Sequence, residues 1–252
     1  MGSHYFRTLT ASLIAGLILG VACSSPPVRH LSTEEERLRR EMFIGTQLSE
    51  QAAEHFELKK NYVLQRYLKK LTLQLLRSEK KSEINEVSVD LIDDRHGLWR
   101  SFVVPGNRFF ISLGLLQSIE YENELAALLS IQLSLLSRRS MLQRIESIAK
   151  SKSSDALKHL TWDSVLNFSV EDEIESMRQS VGVLYRAGFD PRGLISLIQL
   201  YGRNPDHTPY SESKQQIFID KLRREIAQLP PLRNPIVKTD EFMQMKKRIN
   251  KL

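Results

Sequence analysis

Between Glu86 and Ser112 the hydrophobic period of this chain changes from that of a helix to two. Val87, Val89 and Leu91 alternate with polar neighbours. Shorter alternating runs occupy 101–104 and 108–112, and the turn residues Pro105, Gly106 and Asn107 join them. Period two places successive side chains on opposite faces, so each run reads as a strand. The stretch predicts a small sheet of three strands.

Elsewhere the pattern is helical. Ser32 with Glu35 three residues later makes a capping box, which predicts a helix to about Lys60. A second runs from about Tyr62 to Ser78, with Leu64, Leu68, Leu71 and Leu75 on one face. After the sheet, helices are expected over about 122–148, 154–167, 170–187, 191–201 and 211–228, with a short basic one from Asp240. Asp190 followed by Pro191 suits a cap and first turn. The class is α+β, a small sheet inserted in a helical body.

The amino terminus has a different character. Arg7 precedes an apolar run from Leu13 to Val21, followed by Ala22, Cys23, Ser24, Ser25 and the pair Pro26-Pro27. A charged start, a short apolar stretch and small exit residues describe a secretion signal. The run is short for a bilayer span, which needs about 20 apolar residues. It resembles the lipobox of bacterial lipoproteins, with Gly20 where Leu is usual and Leu19 one position early. That resemblance implies cleavage before Cys23 and a lipid on its sulfur. An uncleaved anchor helix is the alternative.

Cys23 is the chain's one cysteine, so a disulfide framework is excluded. The expected organisation is a signal peptide over 1–22, a lipidated tether over 23–31 and one domain over 32–252. Lys and Arg outnumber Asp and Glu by 36 to 30, but the excess is spread along the chain. No interleaving of basic and aromatic residues suggests a nucleic-acid partner.

The most specific passage runs from Val104 to Ser140, VPGNRFFISLGLLQSIEYENELAALLSIQLSLLSRRS. Pro105-Gly106-Asn107, Gly114-Leu115-Leu116 and Glu124-Leu125-Ala126-Ala127 follow one another there. Further on, Glu173-Ile174-Glu175-Ser176-Met177 precedes Ala187-Gly188-Phe189-Asp190-Pro191. In order and spacing these resemble the zinc metallopeptidases of the CAAX prenyl protease and HtpX family, including BepA-like periplasmic lipoproteins. The resemblance covers roughly residues 40 to 230. It implies a mostly helical metallopeptidase-like fold and a peptide-receiving edge strand at Arg108, Phe109, Phe110, Ile111 and Ser112.

The same register tests the chemistry. In HExxH, two histidines one helical turn apart give imidazole nitrogens to zinc, and the glutamate takes a proton from the bound water. Ile131-Gln132-Leu133-Ser134-Leu135 stands in that place, with Ile131 and Leu135 at the histidine positions and Gln132 at the glutamate. Neither aliphatic side chain has a lone pair, and an amide is no general base near neutral pH. Glu173 is the one ligand position that keeps its type, and it reads as vestigial. The family's cleft-lining His-Pro and Arg have Thr208-Pro209 and Lys214 as nearest counterparts. His55, His96, His159 and His207 have no ligand spacing between any two.

The motif-bearing helix instead carries an apolar stripe of Leu128, Ile131, Leu135 and Leu142. The expectation is a non-catalytic envelope lipoprotein that binds or scaffolds envelope proteins or unfolded polypeptides, with no cofactor. It would be tethered through Cys23, with Ser24 favouring the periplasmic face of the outer membrane over the inner membrane. The alternatives are an active zinc metalloendopeptidase with non-standard ligands and a helical structural lipoprotein. Zinc is a cofactor only under the first of these.

Overall fold

In the computed structural model, residues 33–79, 86–94, 97, 99–137, 161 and 168–252 are described. Helix α1 spans Thr33–His55 and α2 spans Tyr62–Ser78. The leucine stripe of α2 is buried as its spacing requires, and the Asn61 side chain caps the helix by accepting the Leu64 N–H at 3.1 Å. Gln65 returns the favour by accepting the Asn61 N–H at 3.2 Å. Helix α1 stops short of the expected end at Lys60, because Leu58–Lys59 form a strand, β1.

Three further strands follow, β2 at Ser88–Ile92, β3 at Phe102–Val104 and β4 at Arg108–Ser112. The sheet therefore has four strands, one more than expected, in the order β1-β2-β4-β3. Strand β1 pairs antiparallel with β2, with Leu58 opposite Ile92. Two residues carry no periodicity to read, so only the pairing reveals this strand. Strands β2 and β4 run parallel, with Val89 opposite Phe109, and β3 pairs antiparallel with β4, with Val103 opposite Phe109.

This order corrects the expectation for residues 108–112. Strand β4 is hydrogen-bonded on both sides, so Arg108, Phe109, Phe110, Ile111 and Ser112 are an interior strand and offer no free edge. Phe109, Phe110 and Ile111 are fully buried core residues. Among the described strands the edge on that side is β3. The β3–β4 turn forms at Pro105, Gly106 and Asn107, where Gly106 (φ 82°) and Asn107 (φ 58°) take the left-handed conformation those two residue types tolerate.

Strand β4 runs straight into α3, Leu113–Ser118, capped by the Ser112 hydroxyl on the Leu115 N–H. The same hydroxyl donates to Asp94 at 2.7 Å, and Asp94 also accepts the Arg100 and Gly114 N–H groups. One carboxylate thus ties the loop before β3 to the start of α3. Burial pushes the Asp94 carboxyl above the usual range, against these hydrogen bonds.

Helix α4, Glu122–Ser137, is apolar around most of its circumference and runs through the core. Glu124 reaches back to accept the Glu120 and Tyr121 N–H groups, closing its first turn. Four more helices complete the described chain among α-helices: α5 at Val170–Arg186, α6 at Gly193–Arg203, α7 at Glu212–Ala227 and α8 at Asp240–Ile249. Asp190 and Pro191 sit in a turn before α6, where the Asp190 carboxylate accepts the Arg192 N–H. The expected helix over 154–167 and the end of the one over 122–148 lie outside the described residues, save Thr161. One buried cluster joins α1 through α8 and the sheet, from Ile44 to Ile249.

Two close approaches set the neighbours of α4. Ser134 and Ser180 face each other at 3.2 Å between hydroxyls, so α5 packs tightly on α4. Gly193 opens α6 against the Asn123 carbonyl, where a Cβ would fall 2.4 Å from the oxygen. The first contact holds α5 against the stretch of α4 from Ile131 to Leu135, and the second holds the start of α6 against the first turn of α4.

Candidate functional site

The stripe on α4 lines a pocket of about 370 Å³. Helix α4 contributes Leu128, Ile131, Gln132 and Leu135, and α5 contributes Glu173. Leu197, Ile198 and Tyr201 come from α6, while Pro209, Tyr210 and Lys214 come from the start of α7 and the segment before it. Trp99 to Val103, including the first residues of β3, form the remaining wall with Phe168. The four positions that the family resemblance marks, Ile131, Gln132, Leu135 and Glu173, therefore meet in one place. Ile131 and Leu135 are half-buried and face this space, so the stripe is a pocket wall more than a core seam. Leu142 lies outside the described residues.

Glu173 is not free to hold a metal. The Lys214 ammonium stands 2.5 Å from its Oε2, both side chains being mostly buried. Burial pushes the Glu173 carboxyl above the usual range, and the Lys214 charge opposes that shift. Lys214 also lies over the Tyr210 and Phe218 rings, at 5.2 and 5.7 Å from their centres. The Tyr210 phenol is pushed up in turn, first by its own burial and then by Glu173. The pair leaves this end of the pocket close to electrically neutral.

The donor set does not fit zinc. Two aliphatic side chains stand where the resemblance would place imidazoles, and the carboxylate already has a cation partner. Among the described residues, no three His, Cys, Asp or Glu side chains gather as a metal would need. His207 stacks on Trp99, with ring centres 4.7 Å apart, and its Nδ1 is 2.7 Å from the Gly97 carbonyl oxygen. It does not line the pocket. His55 is exposed beside Phe56. His96, His159 and Cys23 lie outside the described residues.

Gln132 is the unusual member. It is 3% exposed, and neither its Oε1 nor its Nε2 meets a hydrogen-bonding group among the described residues. A second wall residue, Trp99, likewise has an unpaired buried Nε1. The other residues of the register have ordinary roles: Leu133 is core, Ser134 meets Ser180, and Glu175 pairs with Arg178 on the outside of α5.

The aromatic walls Trp99, Phe102, Phe168, Tyr201 and Tyr210 come from separate elements with no shared motif, so no pattern in the sequence marks them. In the sequence, Lys214 stands only as the nearest counterpart of a cleft arginine. Its place opposite Glu173 is a contact between α5 and α7. Comparison with protein-family models and with curated protein sequences returns no match.

Proposed function

We propose that this chain is a non-catalytic lipoprotein of the cell envelope with a metallopeptidase-like fold, binding extended or unfolded polypeptide and scaffolding envelope proteins. The observation that carries this reading is the convergence of Ile131, Gln132, Leu135 and Glu173 in one pocket of mixed apolar and polar walls beside β3. A pocket with apolar walls and a few polar groups holds a ligand without needing to react with it. Side-chain pockets along an extended peptide select what is bound. With β4 interior and Phe102–Val104 of β3 buried, the receiving surface in this reading is the pocket wall from Trp99 to Val103.

The chemistry of the four residues argues against hydrolysis. An amide at the general-base position cannot take a proton from water, and an ammonium holds the carboxylate. Lipid on Cys23 would hold the domain at the periplasmic face of the outer membrane. Among the described residues no helix is long and apolar enough to cross a membrane.

A photo-crosslinking residue in place of Arg100, on the pocket wall, tests the reading. With an unfolded outer-membrane polypeptide the full chain is expected to form an adduct, and the polypeptide to remain intact. No adduct would refute polypeptide binding. Chelator-sensitive cleavage with stoichiometric zinc would refute the non-catalytic assignment.

A further inference from the structure

We propose that Gln132 is a recognition residue whose side-chain amide pairs with an uncharged secondary amide of the ligand, the peptide group of an apolar segment. This rests on the reading of the pocket as a polypeptide site and adds the group that selects within it. Gln132 is 3% exposed and lines the pocket, and both its Oε1 and Nε2 lack a partner among the described residues. Burying a donor and an acceptor unpaired destabilises a fold, so a core position would favour Leu or Met. The amide is satisfied by a ligand presenting an N–H and a C=O together, as a peptide group does.

Two further features point to an uncharged ligand. The Glu173 carboxylate and the Lys214 ammonium neutralise each other, so neither is left to balance a ligand charge, and the other charged wall residue, Arg100, is exposed. The surfaces beside Gln132 are those of Leu128, Ile131 and Leu135, which receive an aliphatic side chain and stabilise no ion. The unpaired Trp99 Nε1 supplies one more donor in the wall, suited to a neighbouring carbonyl.

The test is ligand-observed NMR on the full chain with four probes that share one aliphatic body. They are the N-methylamide of isocaproic acid, its N,N-dimethylamide, its methyl ester, and isocaproate. The N-methylamide is expected to bind in the millimolar range, as suits about nine heavy atoms. The dimethylamide and ester, which lack the N–H, and the charged isocaproate are expected to bind roughly tenfold more weakly. Gln132→Met should erase the preference among the neutral probes and melt no lower than wild type, because it removes two unpaired polar atoms. A residue kept for structure would lower the melting temperature instead.

Equal binding of ester and N-methylamide, no binding of any probe, or an unchanged preference in Gln132→Met would overturn the proposal. The probe series needs only wild-type protein, so it stands if the variant fails to fold. If polypeptide crosslinks at position 100 while the amide preference is absent, this inference fails and the binding function survives. If the preference is present without polypeptide adducts, the function fails and the amide site survives.

Discussion

Replacing Lys214 by Met retains an apolar chain of similar length near Tyr210 and Phe218 and deletes the charge 2.5 Å from Glu173. The carboxyl must then stay buried as an unpaired anion or bind a proton, and the second option sets a ceiling on the loss. Protonating a carboxyl of ordinary value 4.5 at pH 7 costs about 3.4 kcal/mol, at about 1.36 kcal/mol per unit. Part of the burial cost is already present in the native protein, whose Glu173 is raised despite Lys214. The expected loss at pH 7 is therefore about 2 kcal/mol.

Its pH dependence has a definite sign. A carboxyl raised on folding favours the folded state below its unfolded value, and that advantage disappears as pH rises through the folded value. Lys214→Met raises Glu173 further, so the penalty relative to wild type should be near zero around pH 4 and complete by about pH 7. Urea unfolding of wild type, Lys214→Met, Glu173→Gln and the double variant at the two pH values measures it. The double variant should recover most of the loss at pH 7, since the stranded charge is gone. An equal loss at both pH values, or no recovery in the double variant, would refute the account of the pair.

Other consequences are local. Tyr67→Phe removes the hydroxyl that donates at 2.9 Å to the buried Glu122 carboxylate, whose other oxygen accepts the Thr239 N–H before α8. It should cost about 1.5–2 kcal/mol in chemical denaturation and loosen α8, read by hydrogen exchange. Gly45→Ala would place a Cβ 1.8 Å from the Pro105 carbonyl oxygen, so α1 must lift from the β3–β4 turn. A loss of about 2–3 kcal/mol is expected, and a neutral result would show that α1 does not pack there. Cys23→Ser should release the chain from membranes on fractionation; retention at the wild-type level would count against lipid anchoring.

Much of the architecture was legible along the chain, because side-chain period reports which face of an element is buried. The leucine stripe of α2, the helices 170–187 and 211–228, and the Pro105-Gly106-Asn107 turn are found within a few residues of where their patterns put them. The types of residue at 131, 132, 135 and 173 were equally readable, and types alone settle that two aliphatics and an amide are poor partners for zinc. Strand β1 carries too few residues for any period. The exchange of β4 for β3 at the sheet edge was invisible because an alternating apolar run looks alike in either place, and hydrogen-bond pairing between distant segments decides it.

Tertiary structure alone decided what the altered positions do together. It turned an apolar stripe into the wall of a pocket, set Lys214 against Glu173, and left the Gln132 amide buried without a partner among the described residues. Each of these depends on close packing of α5, α6 and α7 around α4 and the sheet. Sequence determines which groups a chain possesses, whereas the distances between elements determine which of those groups meet, and hydrogen bonds and ion pairs exist only at contact.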